Sequence, residues 1–153
     1  MNHTKNDSLY LEDLHVGQRF ASSEYELSAE QIKAFAAQFD PQPFHLDDAA
    51  AQNTLFHGLA ASGWHTAAIT MRLLVTGNMR FGAGTIGLGG EIAWLLPVRP
   101  GDRLRVESEI TDITPSRTKA DRGVVTVRNV TFNQDGHEVQ RLIAKLLVFR
   151  RSG

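Results

Sequence analysis

A chain of 153 residues, 42% hydrophobic and 22% charged, is long enough for one domain with a real hydrophobic core. Its formal net charge of −1 supplies no bulk attraction to nucleic acid or to an anionic membrane, so neither is expected as a partner. The absence of cysteine removes disulfides, thiol nucleophiles and thiolate metal sites from consideration.

Residues 1–8 are polar, lack the apolar core of a secretion signal and read as a loose tail, with the domain proper over 9–153. No segment approaches the roughly 20 apolar residues of a membrane span, and cytoplasmic residence is expected. Leu11 to Gln18 forms a turn in which Gly17 permits the bend into a strand over 19–27. Ser28, with Gln31 three residues on, is a capping box that starts a helix over 29–38, its stripe formed by Ile32, Phe35 and Ala36. Pro41 and Pro43 then end helical structure, because each removes a donor and pushes its predecessor towards extended geometry. Asp47 to Gln52 makes a short helical turn, capped by Asp47.

From Trp64 to Val75 the chain is mostly apolar, with Ile69, Leu73, Leu74 and Val75 spread around a helical projection. Such a helix is expected to be buried on most sides. Gly77, Gly82, Gly84 and Gly87 mark loops. The second half reads as strands over 86–95, 103–113, 123–133 and 138–150. Arg103 to Ile110 alternates strictly, so one face is wet, and Asn133-Gln134-Asp135-Gly136 carries a hairpin signal. Long neighbouring strands joined by short turns are antiparallel, and a sheet wrapped around the apolar helix buries it, giving an α+β fold. The last strand is apolar on both faces. One face covers the helix and the other wants a partner, which favours a homodimer.

Two stretches carry chemistry. Phe39-Asp40-Pro41-Gln42-Pro43-Phe44-His45-Leu46-Asp47 holds a carboxylate and an imidazole close together on a stiff, proline-bounded loop. Gly58-Leu59-Ala60-Ala61-Ser62-Gly63-Trp64-His65 puts small residues directly before the apolar run, as at the buried start of a helix. An acid–base pair beside a helix N-terminus suits proton transfer while negative charge builds on a carbonyl oxygen. Taken alone, the plainer readings come first: Asp40 as a cap and His45 as a hydrogen-bonded loop histidine, while 58–63 reads equally as a tight turn under the sheet.

The first stretch resembles the hydratase motif of the MaoC-like dehydratases, the family that includes (R)-specific enoyl-CoA hydratases, and the similarity runs over nearly the whole chain. In that family the motif reads Asp, any residue, Asn, Pro, an aliphatic, His, any residue, Asp; here Asp40 to Asp47 fall on it. Gln42 stands in place of the usual Asn, Phe39 where a small residue often precedes the Asp, and Met71 where family hydratases can carry a serine. The resemblance implies a single hotdog domain, an antiparallel sheet around a long central helix. It implies an acyl-CoA or acyl-carrier-protein thioester as substrate, with no separate cofactor and no metal. It also places Asp40 and His45 on the catalytic pair, and Gly63 on the glycine whose backbone N–H stabilises the thioester oxygen.

The reaction so implied is reversible hydration of a trans-2-enoyl-CoA to an (R)-3-hydroxyacyl-CoA. His45 is the expected water-activating base and Asp40 the expected proton donor, its pKa raised by burial near Phe39 and Phe44. Phe44, Ser62, Trp64, His65 and Met71 are candidates for the substrate pocket, and Arg117, Lys119 and Arg122 for the coenzyme A phosphates. The plainer readings are packing for His57 and His65, a cap for Ser62, and a solvated turn for the basic trio. The spacing of His45, His57 and His65 does not match a helical zinc pair. The rival functions are a hotdog thioesterase, which usually needs a carboxylate on or near the central helix, and a non-catalytic acyl-CoA-binding domain. Trp64 to Val75 contains no Asp or Glu.

Overall fold

The computed structural model describes residues 8–152, so of the tail expected over 1–8 all but Ser8 lies outside the described residues. Short elements fill the first half: β1 (Arg19–Ala21), β2 (Tyr25–Glu26), α1 (Ala29–Phe39), α2 (Pro43–Leu46), α3 (Asp48–Ala51) and α4 (Gly63–Thr76). The second half is β3 (Ile86–Trp94), β4 (Arg103–Pro115), β5 (Arg122–Phe132) and β6 (Glu138–Phe149). The strands pair antiparallel in the order β1-β4-β5-β6-β3, with β2 also on β4. Period-two alternation sends Leu104, Val106 and Ile110 of β4 inward, where they join Val125 and Val127 of β5 and Leu146 and Val148 of β6. Ile69, Leu73 and Leu74 of α4 complete this core. A sheet folded over a central helix in this way is the hotdog fold.

A polar chain runs through that core. Register sets Trp94 beside Gln140 and Gln140 beside Thr131. The Trp94 indole N–H donates to Gln140 Oε1 at 3.0 Å, and Gln140 Nε2 donates to Thr70 Oγ1 on α4 at 2.9 Å. The Thr70 and Thr131 hydroxyls lie 2.7 Å apart. Gln140, Thr70 and Thr131 are fully buried, so each hydrogen bond replaces one lost to water and fixes α4 against three strands.

The structure departs from the expected elements in three places. The strand expected over 19–27 is split at Ser22, whose N–H still donates to Val106 O but whose side-chain Oγ accepts the Val106 N–H, the place a backbone carbonyl takes in a regular ladder. Pro43 does not end helical structure but opens α2 at its first position, where the missing N–H would have been unsatisfied anyway. Finally, α4 is not buried on most sides. Trp64, Met71 and Val75 are 60%, 43% and 42% exposed along one stripe, and Leu88, Leu95 and Leu96 are exposed on or just beyond the edge strand β3. The apolar surface exposed for a partner includes that helix stripe and that edge, while on β6, paired laterally with β5 and β3, Val139, Leu146 and Val148 are buried and Leu142, Ile143 and Leu147 half-buried.

Leu73→Ala removes a side chain buried to 3% in the centre of this core. It is expected to cost about 2–5 kcal/mol of unfolding free energy, measured by urea titration, while Val16→Ala in the exposed turn changes it by less than about 0.5 kcal/mol.

Candidate active site

α1 ends at Phe39, and Asp40 is its C-cap, with backbone φ −154° and ψ 64°. Asp40 Oδ2 faces two groups. It accepts the Ser62 hydroxyl at 2.7 Å, and it lies 3.4 Å from His45 Nε2. Asp40 Oδ1 accepts the side-chain amide of Gln42. His45 sits on the single turn α2 and is buried, its Nδ1 2.6 Å from Ala60 O. A carbonyl oxygen can only accept, so Nδ1 carries the hydrogen and Nε2 faces Asp40.

Ser62 is the N-cap of α4. Its Oγ accepts the Trp64 N–H at 3.3 Å while its one proton goes to Asp40. Gly63 follows as the first helical residue, and among the described residues no acceptor engages its N–H. That N–H lies at a helix start carrying roughly half an elementary positive charge. A Cβ at Gly63 would meet the Trp94 ring at 2.5 Å, so glycine is required here by the indole as well as by any ligand approaching the backbone. Gly63, His45, Thr66, Phe56, Trp94 and Leu95 line one mostly apolar cleft of 430 Å³.

Burial pushes the Asp40 carboxyl up, but the hydrogen bonds from Gln42 and Ser62 and the neighbouring His45 charge outweigh it and hold the group below its ordinary 3.8. The expectation of an Asp40 raised by burial is thus corrected: Phe39 is 65% exposed, and the donors around the carboxylate favour its charged form.

The structure brings Asp40, His45, Ser62 and Gly63 together and distributes the other candidates elsewhere. Phe44 packs edge-on against His45, ring centroids 4.6 Å apart, and so supports the imidazole from outside the cleft lining. Trp64 lies outside the cleft lining, exposed and in a T-shaped pair with Trp94 at 5.0 Å. His65 turns away and stacks on Phe35 of α1 at 4.5 Å, with Nδ1 buried and unpartnered. Met71 lies on the exposed stripe of α4, about 12 Å along the helix from Gly63 at 1.5 Å per residue. Arg117 and Lys119 occupy the β4–β5 turn and Arg122 opens β5, at the other end of the strands from the cleft within one chain. Arg122 there pairs with Asp121 and covers the Phe149 ring.

Contributors not picked out from the sequence include Gln42 as a donor to Asp40, Phe56, Thr66 and Leu95 in the lining, and Trp94 as a wall. Trp94 had a readable signal, since a tryptophan closing a strand and followed by Leu95-Leu96-Pro97 is a long apolar run next to a loop. Among the described residues, no group of three or more His, Asp or Glu side chains is arranged to hold a metal ion, and no helix is long and apolar enough to cross a membrane.

In chemical terms this is a hotdog domain with a candidate acid–base pair at the open start of its central helix. Residues 13–133 match the MaoC like domain, and the chain belongs to that family. It is 33% identical over 126 residues to the (R)-specific enoyl-CoA hydratase of Aeromonas caviae, covering 82% of this chain and 88% of that protein. It is 34% identical over 127 residues to the uncharacterized protein YdeM of Bacillus subtilis (strain 168), covering 81% and 87%. The crystal structure of a MaoC-like dehydratase from Rhodospirillum rubrum matches with a TM-score of 0.94 at 57% identity, over 95% of this chain and 100% of that one.

Desolvation holds His65 below its ordinary 6.5, so the folded protein favours its neutral form. The unfolded chain then binds the proton more readily, and this contribution is fully present above about pH 6.5 and lost as pH falls below it. His65→Leu is expected to flatten that part of the curve, read as a smaller loss of unfolding free energy between pH 7.5 and 5 in urea titrations than wild type shows.

Proposed function

We propose that this protein is a hydro-lyase that adds water reversibly across a trans-2-enoyl thioester of coenzyme A or of an acyl-carrier protein, giving the (R)-3-hydroxyacyl product. The observation that carries the reading is the 3.4 Å approach of His45 Nε2 to Asp40 Oδ2, with His45 and Gly63 lining one cleft. Supporting it are the family and the hydratase named among the relatives.

The division of labour follows from the donors around Asp40. Held as a carboxylate, Asp40 is suited to accept a proton, so it takes one from a water lodged between the pair as the oxygen bonds to the β-carbon. The Nε2–H of a protonated His45 supplies the proton that forms the α-carbon C–H bond. The electrons displaced from the double bond collect transiently on the thioester oxygen, where the Gly63 N–H and the helix start oppose the charge. Asp40, now protonated, returns its proton to Nε2 across the pair, which restores both groups. This exchanges the roles expected from the sequence, with His45 as the acid and Asp40 as the base. A thioesterase is disfavoured because α4 carries no Asp or Glu.

With crotonyl-CoA, wild type is expected to bleach the enoyl-thioester absorbance without releasing free coenzyme A thiol. Asp40→Asn and His45→Ala should each lower kcat by roughly 10²–10⁴ at an unchanged melting temperature. Thiol release by wild type, or near-normal turnover in either folded variant, would sink the reading.

The working form proposed is a homodimer joined through the β3 edge and the stripe Trp64, Met71 and Val75, which together leave unpaired backbone and exposed apolar surface beside the cleft. Leu88→Lys puts a charge on that edge and is expected to shift the protein towards monomer by light scattering. An unchanged mass at micromolar concentration would contradict this assembly.

A further inference from the structure

Ala60, whose carbonyl holds His45, is itself held from two directions. The peptide unit between Leu59 and Ala60 donates its N–H to Phe44 O at 3.0 Å and offers its oxygen to Arg99 Nη1 at 3.2 Å. The next unit, between Ala60 and Ala61, takes the His45 Nδ1–H on its oxygen and donates its N–H to Val98 O at 2.9 Å. Two successive peptide planes are thus clamped between α2 on one side and the β3–β4 loop on the other. Arg99 Nη1 also donates to Gly58 O at 3.0 Å, and Nη2 donates to Phe56 O. One planar guanidinium therefore closes on the carbonyls of Phe56, Gly58 and Leu59.

That segment does not hold its own shape. His57 is a non-glycine residue at φ 52° and Gly58 follows at φ 149°, so consecutive residues sit in the left-handed region. Such conformations persist only where the surroundings over-determine them. Arg99 is in turn fixed by its own backbone, since its N–H donates to Asp102 Oδ2 at 2.8 Å and Asp102 Oδ1 accepts Gln134 Nε2 at 2.9 Å. The buried Asp102 thus anchors the loop from which the guanidinium reaches out.

We propose that Arg99 is a positioning residue for the acid–base pair: by clasping the 56–59 carbonyls it sets the Ala60 oxygen that selects the Nδ1–H form of His45 and aims Nε2 at Asp40. Arg99 touches none of the reacting atoms. A lysine in its place offers one ammonium and cannot reproduce a planar fork spanning three carbonyls. The proposal rests on the hydratase reading for its kinetic consequence, but its structural consequence is measured independently of activity.

The test compares wild type, Arg99→Gln and Arg99→Lys in two experiments. In 15N-histidine-labelled protein at pH 9, where an ordinary histidine is neutral, wild type should show His45 as a single Nδ1–H tautomer, assigned by its loss in His45→Ala. Arg99→Gln should show averaging of the two ring nitrogens, and Arg99→Lys an intermediate shift. In crotonyl-CoA hydration, Arg99→Gln should lose about 10²-fold in kcat with KM changed less than about threefold, because positioning is lost and binding is kept. If Arg99→Gln does not fold, Arg99→Lys carries both readouts. A folded variant with the wild-type tautomer overturns the proposal, as does one that raises KM alone, which would make Arg99 a substrate contact. Absence of hydratase activity in wild type would overturn the functional reading, and the tautomer measurement would still decide the role of Arg99.

Discussion

The hydroxyl of Ser62 is the point on which the rest of the site depends. It is fully buried, and a buried hydroxyl left unpaired costs about 1–3 kcal/mol, so its single proton and its lone pair both need partners. The proton goes to Asp40, at the end of α1, and the lone pair takes the Trp64 N–H, at the start of α4. One side chain therefore sets the distance between a carboxylate and a helix N-terminus. The N–H of Gly63, between Ser62 and Trp64, has no acceptor among the described residues, and Gly63 itself lines the cleft.

The wall opposite is fixed by a different economy. Trp94 lies against Gly63 closely enough that no Cβ fits between them, and its indole is tied through Gln140 to Thr70 and Thr131. A polar chain buried at the centre of an apolar core has few alternative arrangements, because any rearrangement strands a donor. The cleft thus borrows its rigidity from the interior: α4, β3, β5 and β6 cannot shift independently without breaking it.

Two opposing forces meet at Asp40. Burial alone would neutralise the carboxyl, and the donors from Gln42 and Ser62 with the His45 charge reverse that outcome. The Gln42 amide does this from one residue beyond Pro41, held in reach of the carboxylate by the proline-bounded loop. The same segment pays a visible conformational cost further on, at His57 and Gly58, and the Arg99 fork is what contains it. Charge, tautomer and backbone strain are in this way parts of one arrangement extending from α1 to the β3–β4 loop.

Much of this was legible in the chain. The alternation in β4, the capping box at Ser28, the Asp-Gly hairpin and the apolar run of α4 are local patterns, and local patterns follow from backbone sterics and from the period of each element. Asp40, His45 and Gly63 were readable because a motif fixes their spacing along the chain. What the chain could not disclose is long-range. Ser62 reaches Asp40 across 22 positions, Arg99 reaches Gly58 across 41, and Trp94 reaches Gln140 across 46. Those distances are closed only when the sheet folds over the helix. Tertiary structure likewise decided that Asp40 is stabilised as a carboxylate rather than raised, since the balance of burial against donors exists only once the donors have arrived. It also turned Met71 and the stripe around it outward, because an apolar pattern specifies that a helix will bury a face, and the sheet's edge determines which face remains.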